Sequence, residues 1–203
     1  MDELFLLPSA PVAMPRAYWL SPGSHTLSSQ VMLIQPSKVE FSRIMAKIES
    51  ASSDDYDMEI VNDLYGGSAL VLPHRPYDMI SGEYREENHT KYLGSEDETW
   101  DPVAAYNEAK LIHFSDWPLP KPWRPQPEDI LLKIQPPCTS INGTEDCTTR
   151  TIWKSFYTDF KIKRKVTCPP TISWSLVSYL YRRFVGPNGD DRCGIDLPAK
   201  HCV

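Results

Sequence analysis

Apolar and polar residues alternate in short blocks along the chain, and this pattern predicts an α/β protein. Three short apolar runs, Val31–Ile34, residues 68–77 and residues 111–114, have the length of buried strands. A helix is predicted to start at Ser37, where Ser37 and Glu40 form a capping box. Its apolar face comprises Phe41, Ile44, Met45 and Ile48. We expect this face to pack on the sheet.

Three further helices are predicted from caps and periodicity. One is short, begins with Asp54 or Asp55 as its cap and ends at Gly66. Another begins at Asp101, whose following proline suits the first helical position. Residues 151–165 form the third, with apolar side chains on one face.

The remaining stretches predict loops and a tail. Residues 78–99 are polar and acidic and are expected to form an exposed loop anchored by Tyr92 and Leu93. Residues 124–137 are expected to form a proline-punctuated linker. Residues 173–184 are compatible with another amphipathic helix. We therefore expect two parts, a partial catalytic-type domain at 1–123 and a Pro- and Cys-containing tail at 124–203.

Composition narrows the possible function classes. A chain of 203 residues suits one domain with an appendage, and 19 prolines against nine glycines make a helical bundle improbable. The net charge of −6 argues against nucleic-acid binding, which needs a basic face. No stretch is long and apolar enough to cross a bilayer, and no targeting signal is expected.

The cysteines begin late in the chain. All five lie at or after Cys138, without a Cys-x-x-Cys pair, so disulfides are favoured over a zinc site. Two tripeptides, at Asn88 and Asn142, match the N-glycosylation pattern and agree with a lumenal location. Incidental thiols in a reduced cytosolic protein remain the alternative.

The most specific stretch is residues 109–123, which read Ala-Lys-Leu-Ile-His-Phe-Ser-Asp-Trp-Pro-Leu-Pro-Lys-Pro-Trp. An apolar run leads to His113, and a proline-rich turn follows it. Lys121 and Trp123 lie beyond this turn. Such a turn can hold a metal ligand and a phosphate-binding cation in fixed relation. A packed histidine and ordinary Pro-Trp loop anchors are the alternative interpretation.

This stretch resembles the last motif of the family 8, glycogenin-like glycosyltransferases, His-x-x-Gly-x-x-Lys-Pro-Trp. Lys-Pro-Trp matches at 121–123, whereas two extra residues separate it from His113, and Ser115 and Asp116 stand where an apolar residue and glycine are usual. Within the family the stretch is most similar to the fungal glucose N-acetyltransferase branch. The resemblance implies that His113 ligates Mn²⁺ and that Lys121, with Trp123, meets the diphosphate of a UDP-sugar.

Two earlier segments extend the resemblance. Ser28-Ser29-Gln30-Val31 stands where the family has Asn-Ser-Gly-Val, which implies donor contacts by Ser29 and Gln30; a solvent-facing Gln30 is the alternative. Asp57 and Asn62 match an Asp-Gln-x-x-Leu-Asn motif, with methionine in the glutamine position. The resemblance implies that Asp57 is the catalytic carboxylate and that Asn62 helps to bind the donor. A helix-capping Asp57 is the alternative.

The resemblance covers residues 1–168 and implies the C-terminal part of a GT-A, Rossmann-like fold with a mixed sheet and flanking helices. The Asp-x-Asp metal motif and the preceding nucleotide-binding half are expected to lie upstream of this chain. The implied function is transfer of N-acetylglucosamine, or a related hexose, from a UDP donor to a glycan acceptor with retention of configuration. Manganese is expected, although magnesium suits the same chemistry.

Two other functions remain open. The first is a truncated, non-catalytic family member that binds glycans, forms a homo-oligomer or binds a full-length partner. The second, weaker possibility is a disulfide-stabilised secreted module built on the tail. The family implies the Golgi lumen, whereas an untargeted fragment would be cytoplasmic.

Overall fold

A computed structural model describes residues 1–21, 24–141 and 143–167 as a mixed α/β protein with small sheets and several helices. The helix expected at 173–184 and the cysteines after Cys147 lie outside the described residues, as does Asn142. A Rossmann-like arrangement of the GT-A type therefore stays a prediction.

The first sheet is mixed, as expected. It contains β1 (Val12–Pro15), β2 (Leu33–Ile34) and β3 (Leu70–Leu72) in the order β2-β1-β3, with β1 antiparallel to β2 and parallel to β3. The strand predicted at 31–34 is thus only two residues long. All four β1 residues are buried, so β1 is the centre of this sheet in packing as well as in order.

Two further pairs of strands follow. β4 (Met79–Ile80) and β5 (Ile112–His113) are parallel and place Ile80 opposite His113. β6 (Thr139–Ile141) and β7 (Thr144–Asp146) form an antiparallel hairpin. A disulfide between Cys138 and Cys147 closes this hairpin, which fulfils the expectation of disulfide pairing for these two cysteines.

Nine helical segments surround these strands in the described residues. The α-helices are α1 (Lys38–Ser50), α2 (Asp57–Tyr65), α3 (His74–Tyr77), α4 (Thr90–Leu93), α5 (Pro102–Glu108), α6 (Glu128–Ile134) and α7 (Thr148–Thr167). Two 3₁₀ helices span Asp2–Leu6 and Ser81–Arg85.

The Ser37 cap of α1 and the Asp101 cap of α5 are confirmed. The Glu40 half of the predicted capping box is not formed, because the Glu40 carboxylate accepts from Arg43 and Tyr65 instead. The Ser37 hydroxyl accepts from the Glu40 amide at 3.4 Å, and the Asp101 carboxylate accepts from the amides of Val103 and Ala104 at 2.8 and 3.0 Å. These bonds satisfy amides that the first helical turn leaves without a partner.

The predicted cap of α2 is wrong. Tyr56 is the N-cap, and the Glu59 carboxylate accepts from its amide at 3.1 Å. Asp55 instead accepts from the Ser52 amide in the preceding turn. Four carboxylates stand near this helix start in the sequence, and only the backbone path decides which of them reaches an amide.

Two predicted loops are wrong as well. Residues 78–99 contain β4, a 3₁₀ helix and α4, and Tyr84 is 1% exposed. Tyr92 has the same exposure, as expected for the anchored part of this segment. The linker expected at 124–137 contains α6, whose apolar side chains pack against the same core as these tyrosines. These segments are mostly polar, so their composition does not predict that a few aromatic and aliphatic side chains are buried and anchor them.

The largest core cluster is aromatic and joins α7 to the rest. Its buried members are Tyr18, Met79, Tyr84, Tyr92, Ala105, Leu119, Trp153, Phe156 and Tyr157. These residues come from both sides of position 123, so α7 packs directly on the strands and helices that precede it. Two smaller clusters lie on the faces of the first sheet.

The expectation that α1 packs on the sheet holds for one residue only. Ile44 contacts a core cluster, whereas Phe41 and Ile48 are 65% and 47% exposed, and no α1 residue is buried. Among the described residues, no element covers the side of α1 that carries Phe41, Met45 and Ile48.

Among the described residues, none of the helices has both the length and the apolar character needed to cross a bilayer.

Asp78 is a buried carboxyl group beside the first sheet. It is fully buried, and neither of its carboxyl oxygens has a good hydrogen-bond partner among the described residues. Burial raises its pKa from 3.8 to about 7, and the nearby Ser28 hydroxyl partly opposes this shift. The group is therefore protonated in the folded protein at mildly acidic pH.

We predict that Asp78→Asn increases the free energy of unfolding above about pH 7. In the wild type the unfolded chain releases this proton near the ordinary pKa of 3.8, while the folded protein keeps it up to about pH 7. Stability is then lost as the pH rises through this window, by about 1.4 kcal/mol per pH unit at most. Urea unfolding at several pH values should show a flatter profile for Asp78→Asn. An unchanged profile, equal to that of the exposed control Asp97→Asn, would contradict this assignment.

Candidate functional site

His113 ends β5 in a half-buried position opposite Ile80. Burial lowers the pKa of its imidazole, and the neighbouring positive charge of Lys121 lowers it further. The imidazole is therefore neutral at physiological pH, which is the form that binds metal ions.

Lys121 returns from the proline-rich turn to the end of β5. Its Nζ donates to the Phe114 carbonyl oxygen and lies 3.4 Å from Nε2 of His113. Burial lowers the pKa of Lys121, and the negative charge of Asp116 opposes that shift. The two chemical groups singled out in the sequence are thus neighbours, although their positions are eight apart in the chain.

The described residues do not provide a complete metal site around His113. Their only cluster of three possible ligand atoms within 4.8 Å comprises Cys138, Glu145 and Cys147, in which both cysteines form the disulfide. Manganese and magnesium require several oxygen or nitrogen ligands. His113 can therefore supply at most one ligand from this part of the chain, and Lys121 occupies the space beside its Nε2.

Asp116 fixes the turn between His113 and Lys121. Its side chain is fully buried and accepts hydrogen bonds from Trp153 Nε1 at 3.0 Å and from the Tyr157 hydroxyl at 2.8 Å, both in α7. The Ser81 hydroxyl donates to it at 2.5 Å, and the Arg85 guanidinium lies 3.5 Å away. One carboxylate thereby ties the turn to α7 and to the 3₁₀ helix at 81–85.

The neighbouring Ser115 strengthens the same connection. Its hydroxyl accepts from the Gly82 amide at 2.9 Å, and its own amide donates to the Ser81 hydroxyl at 3.0 Å. A Cβ atom at Gly82 would lie 2.8 Å from the Ser115 hydroxyl, so a larger residue would displace this hydroxyl from its hydrogen bond with the residue 82 amide. Together, residues 81–82 and 115–116 form an interlocked backbone and side-chain contact.

A cavity of about 460 Å³ adjoins this turn. Its lining combines the cations Lys121 and Arg124 with the indoles of Trp117 and Trp123. The Trp117 ring is 86% exposed, and the Trp117–Pro118 peptide bond is cis. Cations beside exposed aromatic rings suit a ligand that has both an anionic group and a flat or apolar face.

Contacts with α7 position Trp123. Its carbonyl oxygen accepts from Arg164 at 2.6 Å, and its ring faces Phe160 with 6.4 Å between centroids. α7 therefore contacts both ends of the turn, through Asp116 and through Trp123.

Ser29 and Gln30 belong to a second group of predicted site residues, which also includes Asp57 and Asn62. The fully buried Ser28 donates its amide to the Pro15 carbonyl at 2.9 Å and accepts from the Gln30 amide at 3.2 Å. Gln30 is half-buried, and its side-chain oxygen is buried with no hydrogen-bond partner in the described residues. The alternative of a fully solvent-facing Gln30 amide is therefore wrong, and an unpartnered acceptor remains beside Ser29.

Asn62 clamps this segment. Its side chain accepts from the Leu27 amide at 2.7 Å and donates to the carbonyl oxygens of Leu27 and Met58, both at 2.8 Å. These bonds use most of the capacity of the amide. Asn62 thus positions the 27–30 segment from α2.

Asp57 lies in the first turn of α2 and is exposed. Within the described residues, no hydrogen bond or ion pair connects it to His113 or Lys121. α2 packs against α1 and the first sheet, whereas His113 belongs to the second sheet. The structure therefore brings His113 and Lys121 together and leaves Asp57 with Asn62 on a separate element.

Sequence reasoning missed the residues that support the turn. In the sequence, Asp116 is only a departure from the family motif, and Tyr157 is predicted on the apolar face of a helix without a polar role. Ser81 and Trp153 carry no signal. A buried charge flanked by an apolar run and a proline-fixed turn is a usable signal, because such a carboxylate must find several donors.

Comparison with known proteins identifies fungal relatives. The chain is 57% identical over 171 residues to a Gibberella zeae protein named Glucose N-acetyltransferase 1, which covers 83% of this chain and 37% of that protein. It is 48% identical over 182 residues to an Aspergillus fumigatus protein of the same name, covering 83% of this chain and 47% of the relative. A Candida albicans protein of that name is 25% identical over 191 residues.

No protein-family model matches the chain, and no solved structure matches it either. The chain spans less than half the length of the curated relatives described above. Over most of its own length, it is similar to a part of fungal proteins that carry the name Glucose N-acetyltransferase 1.

Proposed function

We propose that the chain is part of a fungal glycosyltransferase that moves N-acetylglucosamine from a UDP donor to a glycan acceptor with retention of configuration. The observation that carries this proposal is the fixed pairing of a neutral His113 with Lys121 at the end of β5. The names of the fungal relatives support the transferred group.

Lys121 is the proposed partner of the donor diphosphate. When the bond to the sugar breaks, negative charge grows on the leaving UDP, and a preorganised cation at that position lowers the barrier. An ammonium group has three donors, and the Phe114 carbonyl uses one of them. The adjoining cavity, with Arg124 and the two indoles, offers space for the rest of the nucleotide.

His113 is proposed to contribute one ligand to a divalent cation, Mn²⁺ or Mg²⁺. The other ligands would have to come from outside the described residues, which by themselves do not fit a complete site. For that reason we assign no catalytic step to a metal in this chain.

Gln30, Ser29 and Asp57 are proposed to face the donor sugar. The Gln30 side-chain oxygen is buried without a partner, so it can accept from a sugar hydroxyl or amide only after this side chain turns outward. The exposed Asp57 carboxylate can approach the sugar or the positive charge that develops on it. Asn62 would act indirectly, because its amide holds the 27–30 segment.

The alternative proposal is a non-catalytic chain that binds glycans or a protein partner, including a second copy. The incomplete ligand set around His113 and the uncovered face of α1 favour it. For either function we propose a lumenal location such as the Golgi, since the Cys138–Cys147 disulfide is typical of oxidising compartments. A cytoplasmic location would require this pair to be reduced in the cell.

We predict that UDP binds the chain more tightly in the presence of Mn²⁺ and that His113→Ala removes this enhancement. Isothermal titration with UDP, with and without Mn²⁺, measures it. The exposed His25 provides the control variant His25→Ala, which should behave as the wild type. UDP binding that is indifferent to Mn²⁺ in the wild type would refute the proposed metal ligand.

We predict a different pattern for Lys121→Ala. Loss of a charge-assisted contact worth about 1.5–3 kcal/mol should weaken UDP binding by roughly 10- to 150-fold. Binding of uridine, which lacks the diphosphate, should not change. The exposed Lys133 of α6 gives the matched control Lys133→Ala. An equal loss for UDP and uridine would assign Lys121 a structural role instead.

A further inference from the structure

A second polar cavity, of about 450 Å³, lies beside the 3₁₀ helix at 81–85. Its volume falls within the range of ligand pockets, about 300–1,000 Å³. The lining includes Trp19, Ile80, Glu83, Glu86, Lys91 and Glu96. Ser81 and Arg85 of the same 3₁₀ helix contact Asp116, whereas Glu83 lines the cavity. The helix therefore separates this cavity from the proline-rich turn.

Glu83 is a buried carboxylate whose position is fixed. The residue is 4% exposed, and Nδ1 of His89 lies 2.8 Å from its Oε1. The His89 ring in turn stacks on Trp100, with 4.0 Å between the ring centroids. A carboxylate that is held in this way is a preorganised hydrogen-bond acceptor in the wall of the cavity.

Lys91 and Trp19 bring a hydrogen-bond donor and an aromatic surface to the same cavity. The Nζ atom of Lys91 donates to the Trp19 carbonyl oxygen at 3.1 Å, which connects α4 to the segment that follows β1. This bond uses one of the three donors of the ammonium group. Trp19 is half-buried and packs edge-on against Tyr18, so its indole has a defined position.

The combination of groups excludes two classes of ligand. A metal ion requires converging ligand atoms, and among the described residues the only cluster of three such atoms lies at the Cys138–Cys147 disulfide. Glu83, Glu86 and Glu96 disfavour an anionic ligand such as a nucleotide, while the Lys91 ammonium disfavours an organic cation.

A neutral molecule with several hydroxyl groups and one apolar face fits these walls. Its hydroxyl groups can donate to carboxylates and accept from the Lys91 ammonium, and its apolar face can lie against an indole. The hexose units of a glycan have this chemistry.

The cavity adjoins the proposed donor site. Ile80 in its lining is the strand partner of His113 in the parallel pair of β4 and β5. Paired residues on neighbouring strands point to the same face of a sheet, and the strands are about 4.8 Å apart. A sugar in the cavity would therefore lie next to the strand end that carries His113.

We propose that this cavity binds a neutral hexose unit of the glycan acceptor. Trp19 lies against the apolar face of the sugar ring, and Glu83 and Glu86 accept from its hydroxyl groups. The inference rests on the proposed sugar transfer, because a transferase holds its acceptor beside its donor.

The test is a ligand-observed NMR titration of the whole chain with maltose, cellobiose and α-1,2-mannobiose. The chain is produced without N-glycosylation, because Asn88 of the sequon lines the same cavity. We expect at least one disaccharide to bind, and Trp19→Ala to weaken this binding by about tenfold or more, since an aromatic contact surface is lost. Phe5→Ala, which removes another exposed aromatic ring, should bind as the wild type does.

A second variant covers the case in which Trp19→Ala does not fold. Glu86 and Glu96 are exposed, so Glu86→Gln combined with Glu96→Gln should keep the fold. It should weaken disaccharide binding by about threefold or more, because charge-assisted hydrogen bonds become neutral ones. Saturating UDP should not displace the disaccharide.

Three results would overturn the proposal. They are a folded wild type that binds none of the disaccharides, binding that the variants leave unchanged, and displacement of the disaccharide by UDP or by arginine methyl ester, a cationic probe. UDP titration of the same samples separates this proposal from the proposed function. A chain that binds a disaccharide as expected but does not bind UDP would refute sugar transfer and leave the cavity as a glycan site.

Discussion

The buried Asp116 carboxylate is the interaction on which the geometry of the candidate site depends. Four side chains from two other elements surround it: Ser81, Arg85, Trp153 and Tyr157. A buried carboxylate is costly unless it is fully hydrogen-bonded, so these groups must assemble together. Because Asp116 lies within the turn between His113 and Lys121, its assembly also sets the positions of those two residues.

This dependence connects the core to the proposed chemistry. α7 contributes Trp153 and Tyr157 to the largest core cluster and also supplies their polar groups to Asp116. Further along α7, Arg164 holds the Trp123 carbonyl. The helix that buries the most aromatic surface is therefore also the support of the turn, and the site cannot form without the core. The Gln30 region has a comparable but separate support in Asn62.

Sequence reasoning found the elements whose signals are local. The caps at Ser37 and Asp101 and the helix around residues 151–165 depend on neighbours in the chain, and the proximity of His113 to Lys121 was implied by the turn between them. Sequence reasoning failed where contacts between residues far apart in the chain determine the local structure. α6 and the 81–85 segment are stabilised by contacts with the aromatic core, and the role of Asp116 requires donors 31 to 41 residues away. The exposure of the apolar face of α1 is also not visible in its periodicity, which only predicts that such a face exists.

An NMR titration of His113 in the wild type and in Asp116→Asn would test this dependence. In the wild type, burial and the Lys121 charge should keep the pKa of His113 below the ordinary 6.5. If Asp116 positions the turn, the variant should let Lys121 move away and the pKa of His113 should rise towards 6.5. Removing a negative charge alone would lower that pKa, so a rise cannot come from the charge. An unchanged or lower pKa of His113 in a folded Asp116→Asn protein would contradict the account.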